Sequence, residues 1–233
     1  MKLPPPQLVI YDLDGTLIDS VPSIALALNN TLQQALMPRV SEQQVRLWVG
    51  NGSLMLIRRA LEALQADLKQ LDRIHQHFLD HYGRQVQSSP DAAASSTTSS
   101  TFAGTHELMA LFKHHGVAQA IATNKPQQFV PAILSAEGLM PFVSAIVGGN
   151  SLPECKPSPL PLLTLCSRFH CPPSRALMIG DSTADAKSAQ HAGIPCWLVE
   201  QGYAQGIDLQ QLGAQSVFKD TRQLLHYATQ LMS

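Results

Sequence analysis

The apolar run Leu8-Val9-Ile10-Tyr11 ends on Asp12-Leu13-Asp14-Gly15-Thr16, which sets two carboxylates one residue apart at what reads as the end of a strand. Residues two apart on a strand share a face, so both acids can enter one small volume. At roughly 6.5 Å and an effective dielectric near 20, they repel by about 2.5 kcal/mol. A divalent cation turns that repulsion into binding, and an all-oxygen donor set suits Mg²⁺. Taken alone, Asp-x-Asp-Gly is also an ordinary turn, favoured by the backbone preferences of Asp and Gly.

Two more clusters share this placement, and a third lies in a loop. Thr123-Asn124-Lys125 follows Ala120-Ile121-Ala122, and Gly180-Asp181-Ser182, with Asp185 three residues on, follows Leu177-Met178-Ile179. Glu154-Cys155-Lys156-Pro157-Ser158-Pro159 puts a lysine in a proline-stiffened loop ahead of a helix. Singly, Lys156 reads as a solvated surface residue and Thr123 as a β-branched strand terminus. Jointly, the clusters supply carboxylates for a cation, a hydroxyl and backbone N–H groups for an anion, and a fixed ammonium. That inventory suits phosphoryl transfer, where catalysis is mostly positioning and charge neutralisation.

The elements that must hold these groups alternate. Strand candidates are Val117 to Thr123, Ala145 to Val147, Ala176 to Ile179, Cys196 to Val199 and Val217 to Phe218. Helical candidates fall between them, near His106–His114, Phe129–Ala136, Pro159–Phe169, Thr183–His191 and Thr221–Leu231. This order predicts an α/β fold, a parallel sheet covered by helices on both faces, with sites at the carboxyl ends of strands. From Ser20 to about Val86 no strand is evident. Apolar spacing there predicts three helices, carried by Ile24, Leu26, Leu28, Leu32 and Leu36, by Leu54, Leu56, Ile57, Leu61 and Leu64, and by Leu68, Leu71, Ile74, Phe78 and Leu79. Ser88-Ser89-Pro90 and the Ala/Ser/Thr tract from Ala92 to Thr101 read as a linker. The expected organisation is a core of residues 1–19 and 88–233 with a helical cap of residues 20–87.

Composition limits the rest. The 233 residues are 45% apolar and 14% charged, enough to bury a sizeable core. Sixteen basic and seventeen acidic residues give a net charge of -1, which removes the electrostatic basis for broad nucleic-acid or acidic-membrane binding. No apolar run approaches the roughly 18 residues of a membrane span, and Met1-Lys2-Leu3-Pro4-Pro5-Pro6 lacks a signal peptide's apolar stretch. The expectation is a cytoplasmic protein, a monomer or a homodimer. Cys155, Cys166, Cys171 and Cys196 form no C-x-x-C pair and read as reduced thiols, and the nine histidines show no ligand spacing.

Asp12-Leu13-Asp14-Gly15-Thr16, Thr123, Lys156 and Gly180-Asp181-Ser182-Thr183-Ala184-Asp185 together resemble the four motifs of the haloacid dehalogenase superfamily, in its capped phosphatase branch. Thr123-Asn124-Lys125-Pro126, Val49-Gly50-Asn51-Gly52 and Gly148-Gly149 are most similar to phosphoglycolate phosphatases. The resemblance implies a Rossmann-like core and a Mg²⁺-dependent phosphatase working through an aspartyl-phosphate. It implies Asp12 as nucleophile, Asp14 as general acid and base, and Thr123, Asn124 and Lys156 as phosphate ligands. Asp12, Asp181 and the backbone carbonyl of Asp14 are the implied metal ligands, with Asp185 and Ser182 behind them. Ser182 also suits a helix N-cap. In the cap, Gly50 and Gly52 are expected to bring backbone N–H groups to a small phosphorylated substrate, with Arg58 or Arg59 available for its carboxylate. 2-Phosphoglycolate is the first candidate. A sugar-phosphate phosphatase, nucleotidase or phosphosugar mutase on the same scaffold is the alternative, and a noncatalytic phosphate-binding protein stands last, because Asp12, Asp14, Lys156 and Asp181 are all intact.

Overall fold

The computed structural model describes residues 5–87, 100–204 and 206–233. Six strands form one parallel sheet: β1 (Leu8–Tyr11), β4 (Ala118–Ala122), β5 (Ala145–Val147), β6 (Ala176–Gly180), β7 (Cys196–Val199) and β8 (Ser216–Phe218), in the order β5-β4-β1-β6-β7-β8. Central β1 pairs Leu8–Tyr11 with Ala118–Ile121 on one side and Ala176–Ile179 on the other. The chain builds outward from β1 in both directions, so the strand order reverses there and a crevice opens at the carboxyl ends.

Strand alternation explains why both faces are covered. Val9, Tyr11, Ile121, Leu177, Ile179 and Trp197 enter one apolar cluster, with α5 (Thr105–His114) and α9 (Thr221–Met232) against it. Leu8, Ile10, Ala120, Ala122, Met178 and Leu198 enter the other, with α7 (Leu160–Arg168) and α8 (Thr183–Ala192). Each fully buried leucine or isoleucine contributes about 1.5–3 kcal/mol relative to exposure. α6 (Val130–Ala136) follows β4 and closes the layer beside β5.

The segment after β1 is helical, as its spacing predicts, with four α-helices instead of three: α1 (Val21–Gln34), α2 (Glu42–Trp48), α3 (Ser53–Ala63) and α4 (Leu71–Gln87). α2 escapes the apolar pattern because only Val45 of it is buried, yet Ser41 and Gln44 close a reciprocal capping box at its start. The first helix ends earlier than predicted. Leu36 lies beyond it at φ 57°, 96% exposed, in the left-handed position where glycine usually ends a helix. Leu54 and Leu68 are likewise exposed instead of buried. A two-stranded antiparallel pair, β2 (Ile18–Asp19) with β3 (Ser100–Thr101), was not anticipated; it ties the two chain crossings together beneath the helices. Most of the predicted linker, residues 88–99, lies outside the described residues. Among the described residues, no helix is long and apolar enough to cross a membrane, and Cys166, Cys171 and Cys196 are buried free thiols while Cys155 is exposed.

Candidate active site

The pleat of β1 does not aim the two aspartates. The strand stops at Tyr11; Asp12 and Leu13 leave it, Asp14 bridges to Ile18, and residues 15–17 form the turn between them. Asp12 N–H still donates to Ile179 O at 2.9 Å, extending the sheet register by one bond. Asp12 and Asp14 take different cations: Asp12 Oδ1 lies 3.0 Å from Lys156 Nζ, whereas both Asp14 oxygens accept from Lys125 Nζ at 3.0 and 3.1 Å.

Lys156 reaches in from the loop before α7 and also donates to Asp185 Oδ1 at 2.6 Å. Asp185 is fully buried in the first turn of α8, where the helix dipole favours a carboxylate. Its Oδ2 accepts from Asp181 N–H, Ser182 N–H and the Ser182 hydroxyl, and Ser182 is the N-cap its sequence position suggested. Asp181 accepts from the Thr16 hydroxyl at 2.7 Å and from Tyr203 N–H at 2.7 Å. Gly15, at φ 87°, passes so close to Asp181 and Tyr203 that a Cβ would collide with both, and a Cβ on Gly202 would collide with the Asp181 carboxylate.

One oxygen from each of Asp12, Asp181 and Asp185 lies within 4.8 Å of the other two, and all three residues are buried. Lys156 pairs with two of these acids, Asp12 and Asp185, while Asp181 has the Thr16 hydroxyl and the Tyr203 N–H. Burial raises the Asp12 carboxyl to about 6; Lys156 pulls it down while Asp185 and Asp14 push it up. Burial, then Asp185 and Asp12, hold the Asp181 carboxyl well above the ordinary carboxylate range. Burial opposes the charge on Lys156, yet Asp12 and Asp185 overcome it and leave its pKa raised. This surplus of buried negative charge on oxygen donors fits a hard divalent cation. The Asp14 carboxylate lies outside the three-acid cluster.

Beside the cluster lies an open-mouthed cavity. Asp12, Asp14, Thr123, Asn124 and Lys125 form its floor; Ile24, Val49, Gly50, Gly52, Ser53, Leu56, Phe78 and Tyr82 come from the helical segment. Asn124 Nδ2 ties the two, donating to Gly50 O at 3.2 Å and to Lys156 O at 2.9 Å. Gly52 is the N-cap of α3. Arg58 is half-buried on α3 and does not line the cavity; Arg59 is committed to Trp48 O and Asn51 Oδ1, each at 2.7 Å.

The sequence shows Lys125 in the Thr123-Asn124-Lys125 cluster without giving it a role, and it does not single out Tyr203. Lys125 is buried on the cavity wall, with Nζ 4.7 Å from the centre of the Tyr82 ring. Its signal was present, a lysine one residue past Thr123-Asn124 at a strand end. Tyr203 joins Asp181 to the start of the helical segment: its hydroxyl donates to Asp19 Oδ1 at 2.7 Å and accepts from Ser20 N–H at 2.8 Å. Arg46 pairs with Asp19 at 3.0 Å and lies 5.1 Å over the Tyr203 ring. The loop after β7 is another carboxyl end of a strand, and the strand-end rule applied there would have flagged Tyr203.

A sheet reversing at β1, with acids and a lysine gathered at the strand ends, defines a class, and residues 9–199 match the model of the haloacid dehalogenase-like hydrolases. The chain belongs to that family. Among its relatives, a phosphoglycolate phosphatase of Psychrobacter arcticus is 37% identical over 95% of each chain. One from Haemophilus influenzae is 32% identical over 94% of this chain and 96% of its own. The crystal structure of a predicted phosphoglycolate phosphatase from Haemophilus somnus superimposes with a TM-score of 0.86 at 31% identity, covering 97% of this chain and 98% of that one.

Proposed function

We propose that the chain is a Mg²⁺-dependent phosphomonoesterase for small phosphorylated acids, with 2-phosphoglycolate as its first substrate. The supporting observation is the convergence of Asp12, Asp181 and Asp185, with Lys156 paired to Asp12 and Asp185, beside a cavity that Asp12 also lines and that α1, α3 and α4 cover. The names of relatives aligned along nearly the whole chain support the same reading.

In this reading a carboxylate oxygen of Asp12 attacks phosphorus, the P–O bond to the leaving alcohol breaks, and Asp14 delivers a proton to the leaving oxygen. Asp14 then takes a proton from water, whose oxygen attacks phosphorus, breaks the Asp12–phosphoryl bond and frees phosphate. Lys156 and the Thr123 hydroxyl hold the phosphoryl oxygens, so that two anions can meet. Mg²⁺, bound by Asp12, Asp181 and the Asp14 carbonyl, supplies charge neutralisation at the phosphoryl group. Asp185 acts through Lys156 and Asp181, and Ser182 fixes Asp185 in turn. Residues 20–87 serve as a cap that excludes water from the aspartyl-phosphate, over a core of 1–19 and 88–233.

The test is phosphate release from a panel of phosphomonoesters with and without Mg²⁺. Turnover is expected to require Mg²⁺, to peak on 2-phosphoglycolate and to fall by about 10³-fold or more in Asp12→Asn. A peak on sugar phosphates or nucleotides would replace the substrate; an Asp12→Asn variant as active as the parent would reject the mechanism.

A further inference from the structure

We infer that Lys125 is the specificity-determining cation of the cavity, and that it selects esters bearing a carboxylate on the carbon next to the leaving oxygen. The inference rests on the phosphomonoesterase reading and extends it to the recognition of the non-phosphoryl half of the substrate.

Among the described residues, Lys125 is the one cationic side chain that lines the cavity. The other cations nearby are committed elsewhere, Lys156 to Asp12 and Asp185, and Arg59 to the turn ahead of α3. The cavity that Lys125 lines also carries apolar surface from Ile24, Leu56, Phe78 and Phe129, and the Tyr82 ring lies against its ammonium. Lys125 is paired with Asp14, and a carboxylate arriving beside Asp14 gives this buried ammonium, costly to desolvate, a second anionic partner. An uncharged leaving group offers it nothing.

Position then decides which anion. The leaving oxygen must come within hydrogen-bond reach of Asp14 to receive a proton. Lys125 Nζ is 3.0 Å from that same carboxylate. In a phosphorylated 2-hydroxy acid the carboxylate sits on the carbon attached to the leaving oxygen, which sets it beside Lys125 whenever the leaving oxygen is beside Asp14. Lys125 is also held from two sides, by Asp14 of the core and by the Tyr82 ring of α4, which itself lies edge-on to Phe129 at 5.1 Å. A cation fixed in this way loses little entropy on meeting its ligand.

The competing role for Lys125 is simply to hold Asp14 in place, and substrate choice separates the two. The readout is the ratio of kcat/KM for 2-phosphoglycolate to that for ethyl phosphate, which keeps the ester and lacks the carboxylate. Lys125→Met is expected to lower the ratio by about 10–100-fold, the worth of one charge-assisted hydrogen bond. Lys125→Gln, a second variant close in size, is expected to lower it too, and Lys125→Arg to retain most of it. A ratio unchanged in Lys125→Met or Lys125→Gln, with both substrates slowed alike, overturns the inference while leaving the phosphatase intact. So does an Arg58→Ala variant in which the ratio collapses. A parent enzyme that turns over neither ester rejects the phosphomonoesterase reading and the inference together.

Discussion

The two halves of the cavity are held in place by different forces. On the strand-end side, Asp12, Lys156, Asp181 and Asp185 are buried and cross-bonded, and Asp185 alone engages Lys156, Ser182 and the Asp181 backbone. On the helical side, Ile24, Leu56 and Phe78 contribute apolar surface, and the polar ties to the core among the described residues include Asn124 to Gly50 O, Lys125 over Tyr82, Arg46 to Asp19 and the Tyr203 hydroxyl to Ser20 and Val21 N–H. Polar groups with several buried partners have one arrangement, whereas apolar surfaces joined by a few bonds can separate and reseat. The contrast sets a cross-bonded strand-end cluster against an apolar helical cover that meets the core through a small number of polar contacts.

The sharpest way to break this contrast is to remove the cation that pairs with Asp12 and Asp185. Lys156→Met leaves Asp12 and Asp185 uncompensated, and denaturant titration of the metal-free protein should show a loss of about 3–5 kcal/mol, with turnover abolished. A loss below about 1 kcal/mol would mean that the cluster is far less dependent on internal compensation than its burial suggests.

A smaller effect is expected from crowding the cluster without touching its charges. In Gly202→Ala the added methyl displaces the Asp181 carboxylate. The Mg²⁺ concentration for half-maximal activity should rise by about 10–100-fold. An unchanged value would remove Asp181 from the metal site.

The smallest effect belongs to the tie between hinge and helices. Burial raises the Asp19 carboxyl, but hydrogen bonds from Tyr203 and Arg46 outweigh it and leave the pKa below its ordinary 3.8. Because the folded-state value is depressed, the stability this group contributes is full above the unfolded value and is lost as pH falls through the folded one. The advantage of the parent over Asp19→Asn, below about 1 kcal/mol for so exposed a pair, should hold at pH 6 and vanish toward pH 2 in urea titrations. An advantage independent of pH would assign the effect to packing.

Much of this molecule was legible in its sequence because period and burial agree. β5 and β7 match their predicted bounds, and β4, β6 and β8 differ by one residue at one or both ends. Residues 120–123 and 176–180 are buried and apolar or small along their length, the mark of a parallel strand covered on both faces. α2 was not legible from hydrophobic spacing because it buries one residue, although its Ser41-x-x-Gln44 box was readable. The end of α1 was hidden by Leu36, which takes a glycine's conformation without being one. The pairing of β2 with β3 joins segments about eighty residues apart, and two-residue strands carry no periodicity. At the site, residue types announced the acids and Lys156, but not which cation each acid takes. That choice follows from the turn after Tyr11, which separates Asp12 from Asp14 where a continued strand would have set them side by side.

The central claim is that Asp12 carries the phosphoryl group between two half-reactions. Excess enzyme mixed with 2-phosphoglycolate and Mg²⁺, quenched in acid within the first turnover and digested for mass spectrometry, tests it directly. The account predicts one added phosphoryl group on the peptide containing Asp12, rising and decaying within the turnover and absent from Asp12→Asn. Glycolate and phosphate released in step, with no phosphoryl group on the protein at any quench time, would contradict it.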